Sequence, residues 1–106
     1  MHIVIFVTAS SKQEAQKIAR LLIKNKLVAC VNIIPGIKSL FWWQGKVDEA
    51  NESLLIIKSR KSALPGVIKL VKSIHSYEVP EIIALPIIAG DKNYLKWLNE
   101  SLGKSS

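Results

Sequence analysis

The residues that could hold a soft or borderline metal ion are few: Cys30, His2, His75, and the carboxylates Glu78 and Glu81 that follow His75. Cys30 is the only cysteine and sits in the apolar run Leu27–Val31. A free thiol in such a run acts as a small hydrophobe, or as a soft ligand for Cu(I). His75 closes a helical pattern. A cation there gains ~0.3–1 kcal/mol from the helix dipole, and imidazole also suits copper and zinc. The residues alone leave both roles open. Glu78 and Glu81 would add oxygen donors. No C-x-x-C or H-x-x-x-H spacing occurs, so a closed structural zinc site is not expected. His2 is isolated and reads as a surface residue. Trp42, Trp43, Tyr94 and Trp97 could stack on a ligand, although such aromatics more often anchor a core or an interface. Trp42 and Trp43 are adjacent on a strand and must face opposite sides.

Enzyme chemistry has little to work with. There is no nucleophile elbow, no phosphate-cradling glycine loop and no pair of catalytic carboxylates, so the expectation is a non-enzyme. The net charge of +7 comes from 15 basic and 8 acidic residues. Such a balance permits anionic partners. The basic residues are dispersed, however, and only Lys58, Arg60 and Lys61 crowd together. Neither nucleic acid nor a membrane surface is expected as a partner.

These residues must be positioned by one domain, assigned to residues 1–102, with 103–106 as a flexible tail. A chain of 106 residues can bury roughly two-thirds of its unfolded surface and needs no staple. The lone thiol fits a reducing compartment. The apolar stretch Ile3–Val7 is far too short to span a bilayer and has no basic leader. A cytoplasmic location is expected.

Ile3–Val7 is β-branched and predicts a strand. Ser11 and Glu14 form a capping box before Ala15, Ile18, Ala19 and Leu22, which predicts a helix over 12–26. A second strand runs over 28–34, is broken or bulged at Pro35-Gly36, and resumes over 39–43. Gln44-Gly45 turns it into a partner strand over 46–59, a hairpin long enough to project from the domain. Leu64, Val67, Ile68, Val71 and Ile74 predict a second helix, with Pro65 in its first turn. A strand over 81–88 contains Pro86, which places it at an edge or a bulge. Asp91 caps a last helix carrying Leu95, Leu98 and Leu102. The order β-α-β-β-α-β plus a terminal helix is the split, ferredoxin-like α+β pattern.

The strands are apolar on both faces. Leu54 and Ile56 oppose Leu55 and Ile57, and Ile3, Ile5 and Val7 oppose Val4 and Phe6. Two helices cover one face; the second would be an exposed apolar patch unless it meets another copy. RNA-binding sheets of this topology carry stacking aromatics on the central strands. Only Phe6 stands there, so the face reads as an interface.

Several segments together resemble the CutA divalent-cation tolerance family. They are Leu27 to Asn32, Ile34-Pro35-Gly36, Ser39 to Lys46, Ile57-Lys58-Ser59, His75 to Glu81, Leu85-Pro86-Ile87 and Asp91 to Leu98. The likeness spans about the whole chain. One departure is His75-Ser76-Tyr77, where the family usually has His-Pro-Tyr. Another is that Cys30 stands without the additional cysteines of some members. The resemblance implies a ferredoxin-like protomer in a homotrimer similar to PII signalling proteins. It also implies a role in tolerance of copper and other divalent cations, without a required cofactor. On that basis Cys30, His75 and Glu81 are the expected metal contacts. Trp43, Lys58, Tyr94 and Trp97 are expected to line a cleft between protomers. The alternative is a PII-like sensor that takes a small anion or nucleotide in those clefts through Lys58, Arg60 or Lys61.

Overall fold

The computed structural model describes residues 1–103. Its elements run β1 (His2–Ala9), α1 (Lys12–Lys24), β2 (Cys30–Trp43), β3 (Lys46–Arg60), a single 3-10 turn (Lys61–Ala63), α2 (Leu64–Ile74), β4 (Ile82–Pro86) and α3 (Lys92–Ser101). The four strands form one antiparallel sheet in the order β2-β3-β1-β4. This is the α+β, ferredoxin-like arrangement expected from the chain, with a third helix appended. The strand with the densest β-branched pattern, β1, is central.

Register assigns the faces. Ile3, Ile5 and Val7 stand with Ser59, Ile57 and Leu55 on one face, all buried beneath α1 and α2. Ala15, Ile18, Ala19 and Leu22 of α1 and Val67 and Val71 of α2 complete this core. Each fully buried Val, Leu or Ile contributes on the order of 1.5–3 kcal/mol. On the other face lie Val4, Phe6, Leu54, Ile56, Ile83 and Leu85. Part of that face is open: Ile83 is 52% and Leu85 50% exposed.

The element ends have local causes. The Ser11 hydroxyl accepts from Glu14 N at 3.1 Å, as a capping box requires. The Glu14 carboxylate reaches back one residue further, to Ser10 N at 2.9 Å. Helix α1 stops at Lys24, two residues short of the predicted end, because Lys26 turns to φ 54. Leu27 N then donates to Leu22 O at 3.2 Å, closing a Schellman-type end with lysine where glycine is usual. β2 passes through Pro35-Gly36 with a register shift between Ile34 and Ile37, so the predicted interruption is a bulge. Gln44 and Gly45 both have positive φ, 51 and 79, which suits a two-residue hairpin turn. β4 is an edge strand and ends at Pro86, two residues early, since proline cannot donate to a ladder. The Asp91 carboxylate caps α3 by accepting from Tyr94 N at 2.9 Å.

The molecule measures 44 × 26 × 21 Å, the long axis reflecting the hairpin. Gly103, assigned to the tail, is held: its N–H donates to Lys26 O at 3.2 Å and its carbonyl accepts from the Arg60 guanidinium. The rest of that tail, 104–106, lies outside the described residues.

Candidate functional site

The residues singled out by chemistry fall into three places. The first is the end of the sheet where β1 finishes. His75 caps the C-terminus of α2, and its side chain has no exposed surface. Its Nε2 lies 2.7 Å from Thr8 O, and its Nδ1 accepts from Tyr77 N at 3.0 Å. A carbonyl can only accept and a backbone amide can only donate. The ring is therefore the neutral tautomer with its proton on Nε2. Glu14 Oε1 stands 3.8 Å from Nδ1, and Glu14 Oε2 accepts from Ser76 N at 2.9 Å. Burial acts to raise the Glu14 carboxyl, but hydrogen bonds from Ser10 and Ser76 hold it down at about 2. The Tyr77 ring packs on His75 at 4.8 Å between centroids, and its hydroxyl donates to Glu52 Oε2 at 2.9 Å. Burial, followed by the Glu52 hydrogen bond and charge, pushes the Tyr77 phenol up to about 12. Glu81 is exposed and takes no part in this network.

The second place is the opposite end of the open face. Cys30 and Lys58 are direct cross-strand partners, and Val4 continues the row. The Lys58 ammonium donates to the Asn32 side-chain oxygen, and Cys30 Sγ lies 3.9 Å from the same oxygen. Burial raises the Tyr94 phenol, and the neighbouring Cys30 raises it further. Trp97 lies one helical turn on, 5.5 Å from the Tyr94 ring. Four of the expected residues, Cys30, Lys58, Tyr94 and Trp97, are thus gathered by β2, β3 and α3. Four steps along β1, from Val4 to Thr8, separate this row from Thr8, about 13 Å at ~3.3 Å per residue. Cys30 and His75 do not share a site within the protomer.

The third place is the hairpin tip. Trp43 lies thirteen residues along β2 from Cys30, roughly 40 Å away. Trp42 and Trp43 are 76% and 57% exposed, and neither packs against the domain. The protomer does not bring Trp43 to the other cleft residues.

Among the described residues no three His, Cys, Asp or Glu side chains gather as a metal site. The donor chemistry agrees. His75 has no spare nitrogen, Glu14 is engaged by amides, and Cys30 is one soft donor with an ammonium beside it. One protomer therefore does not fit a closed divalent-cation site.

Sequence reasoning passed over Glu14, Glu52, Thr8 and Asn32. Asn32 could have been found, because period two puts it on the face of Cys30. Glu14 was read only as a cap. Its second partner, Ser76, is 62 residues away and leaves no local signal.

A family model described as CutA1 divalent ion tolerance protein matches residues 3–101. The divalent-cation tolerance protein CutA of Thermus thermophilus is 46% identical, covering 97% of this chain and all of its own length. Its solved structure superposes with a TM-score of 0.95. The rice chloroplastic protein CutA 1 is 50% identical over 97% of this chain, which spans 58% of that relative's length. The crystal structure of rice CutA1, 49% identical, covers 98% of this chain and 95% of its own, with a TM-score of 0.96. None of the described helices is long and apolar enough to cross a membrane. On the family match and the full-length likeness to the Thermus protein, the chain belongs to the CutA1 divalent ion tolerance family.

Proposed function

We propose that this chain works as a homotrimeric, non-enzymatic binding protein in tolerance of copper and other divalent cations. It takes its ligand where the open sheet faces of neighbouring protomers meet. The observation that carries this reading is the open face itself. Ile83, Leu85 and the hairpin residues Leu40, Trp42, Trp43 and Val47 are large apolar side chains in water. Ile83 and Leu85 lie on edge strand β4, whereas Leu40, Trp42 and Val47 share one face of the projecting hairpin and Trp43 stands on the other; exposed apolar surface of this extent marks an interface. A neighbour's hairpin, laid across the Cys30 end, would carry Trp43 to Lys58, Tyr94 and Trp97. Cys30 is the soft donor that suits copper in its reduced form. Because one protomer supplies only that donor, further ligands have to come from outside it. The lone thiol also supports a reducing, cytoplasmic location.

Two measurements test this. Sedimentation should give three times the 11.8 kDa protomer mass. A competition titration with Cu(I) should show binding that Cys30→Ser removes. A monomer, or unchanged copper affinity in Cys30→Ser, would sink the proposal.

One observation favours a second reading. Lys58 places an ammonium in the Cys30 row, where it repels a bare cation and attracts an anion. A PII-like sensor taking a small anion or nucleotide through Lys58, with Arg60 and Lys61 nearby, fits that charge. Calorimetry with nucleotides beside calorimetry with Cu and Zn separates the two readings.

A further inference from the structure

We infer that His75 is a structural latch whose ring is saturated by the backbone, and that metal ions bound by this chain do not coordinate it. The ring sits where β1, α1 and α2 converge. It donates from Nε2 to Thr8 O at 2.7 Å and accepts at Nδ1 from Tyr77 N at 3.0 Å. A metal ion needs a lone pair on one of these atoms. Nε2 has none while it carries the proton. The Nδ1 lone pair is already aimed at an amide hydrogen, and the side chain has no exposed surface through which an ion could approach. Coordination would strand the Tyr77 N–H, and a buried donor without an acceptor is costly.

The latch has a purpose of its own. The segment after α2 has no regular structure until β4 begins at Ile82. It is fastened at three successive residues. His75 holds it to β1, Ser76 N holds it to Glu14 of α1, and the Tyr77 hydroxyl holds it to Glu52 of β3. Glu52 pairs with Ile37, the first residue beyond the β2 bulge, where the hairpin leaves the domain. The latch thus ties the start of β4 to the root of the hairpin. This inference does not depend on the proposed copper contact, because the tautomer and the fastening hold whether or not the chain binds metal.

The test uses the full chain in its assembled form. Nitrogen-15 spectra of the His75 ring should show Nε2 protonated and Nδ1 bare. That pattern should be unchanged on saturation with Zn(II) or Cu(I). His75→Ala should lower the melting temperature, and a large enough loss would prevent folding. His75→Gln is therefore the second variant, since an amide keeps one donor and one acceptor. It should fold and keep wild-type metal behaviour. A lost ligand, or a lost partner orienting one, weakens binding by about 10–100-fold. A drop of that size in His75→Gln, or a metal-induced shift of either ring nitrogen, overturns the inference. So does a ring found protonated on Nδ1, or a melting temperature untouched by His75→Ala.

Discussion

Successive residues of β3 live in different environments. Leu55, Ile57 and Ser59 have no exposed surface under α1 and α2, whereas Leu54, Ile56 and Lys58 lie on the partly open face. The polar groups follow the same division. On the sealed side Ser59 Oγ donates to Leu27 O at 2.7 Å, one donor to one acceptor. On the open side Lys58 and Cys30 crowd a single Asn32 oxygen. The His75 network and the Cys30 cluster repeat the contrast at opposite ends of the sheet. The first has a partner for every buried polar atom; the second keeps a thiol, an ammonium and a phenol partly in solvent. Saturated groups hold a fold together, and unsaturated ones are free to meet a ligand or another copy.

The sharpest way to break this comparison is to alter neighbours on β3. Leu55→Ala opens a cavity in the sealed core and should cost about 2–5 kcal/mol in urea unfolding. Ile56→Asp puts its charge on the open face and should leave a folded protomer that does not form the proposed trimer. Both are measured at one protein concentration, since assembly makes stability concentration-dependent. Equal loss of secondary structure in the two variants would mean that the faces are not different.

The next effect lies in the His75 network and is read through pH. The Glu14 carboxyl is held at about 2 in the fold, against 4.5 as its ordinary value. A depressed carboxylate stabilises the fold above its unfolded value, and that contribution is lost as pH falls from about 4.5 toward 2. The shift corresponds to about 3 kcal/mol at most. Glu14→Gln should be less stable than wild type at pH 6, with the gap closing near pH 2. A constant gap across that range would show that the Glu14 charge is not what the network uses.

Tyrosines sharpen the contrast further. Tyr77→Phe leaves the buried Glu52 without its donor and should cost about 1–3 kcal/mol. The Tyr77 phenol is raised from 10.0 to about 12, so its contribution is intact below pH 10 and is lost as pH rises through 12. Wild type should therefore lose its advantage over Tyr77→Phe in that alkaline window. Tyr94→Phe, on the open side, should cost less, because Tyr94 is 42% exposed. A larger loss in Tyr94→Phe than in Tyr77→Phe would reverse the assignment of closed and open ends.

Much of the sealed side was legible in the chain. The β-branched run of β1, the Ser11–Glu14 box and the 3.6-residue spacing of Ala15, Ile18, Ala19 and Leu22 are local signals, and the elements form where they point. The bulge at Pro35-Gly36 and the edge position of Pro86 follow from a missing N–H. The open face was legible as a surplus of apolar residues, which says that something covers it and not what. The site was harder to read. His75, Glu81 and Cys30 have the right atoms for a metal, but availability depends on what those atoms already touch. Tyr77 N lies two residues from His75, and Thr8 O lies 67 residues away. No periodicity reports a tertiary contact of that kind.

The smallest stability effect belongs to the Cys30 cluster. Serine is close in size to cysteine, Cys30 is only half-buried, and its contact to Asn32 at 3.9 Å is long and weak. Cys30→Ser should change protomer stability by less than about 1 kcal/mol. Lys58→Met frees the Asn32 oxygen, but that atom lies on the open face where water replaces the ammonium, so it too should change stability by less than about 1 kcal/mol. The reactivity of this end should respond more than its stability. In the separated Ile56→Asp protomer, iodoacetamide should reach Cys30 readily. If wild type assembles as proposed, the same thiol should be labelled more slowly there, because a neighbour would cover the row. Mass spectrometry of timed samples measures both rates. Equal labelling would place Cys30 outside the contact between copies and remove it from the shared cleft. Slower labelling in the separated protomer would show that Tyr94 and α3, and not a second copy, shield the thiol.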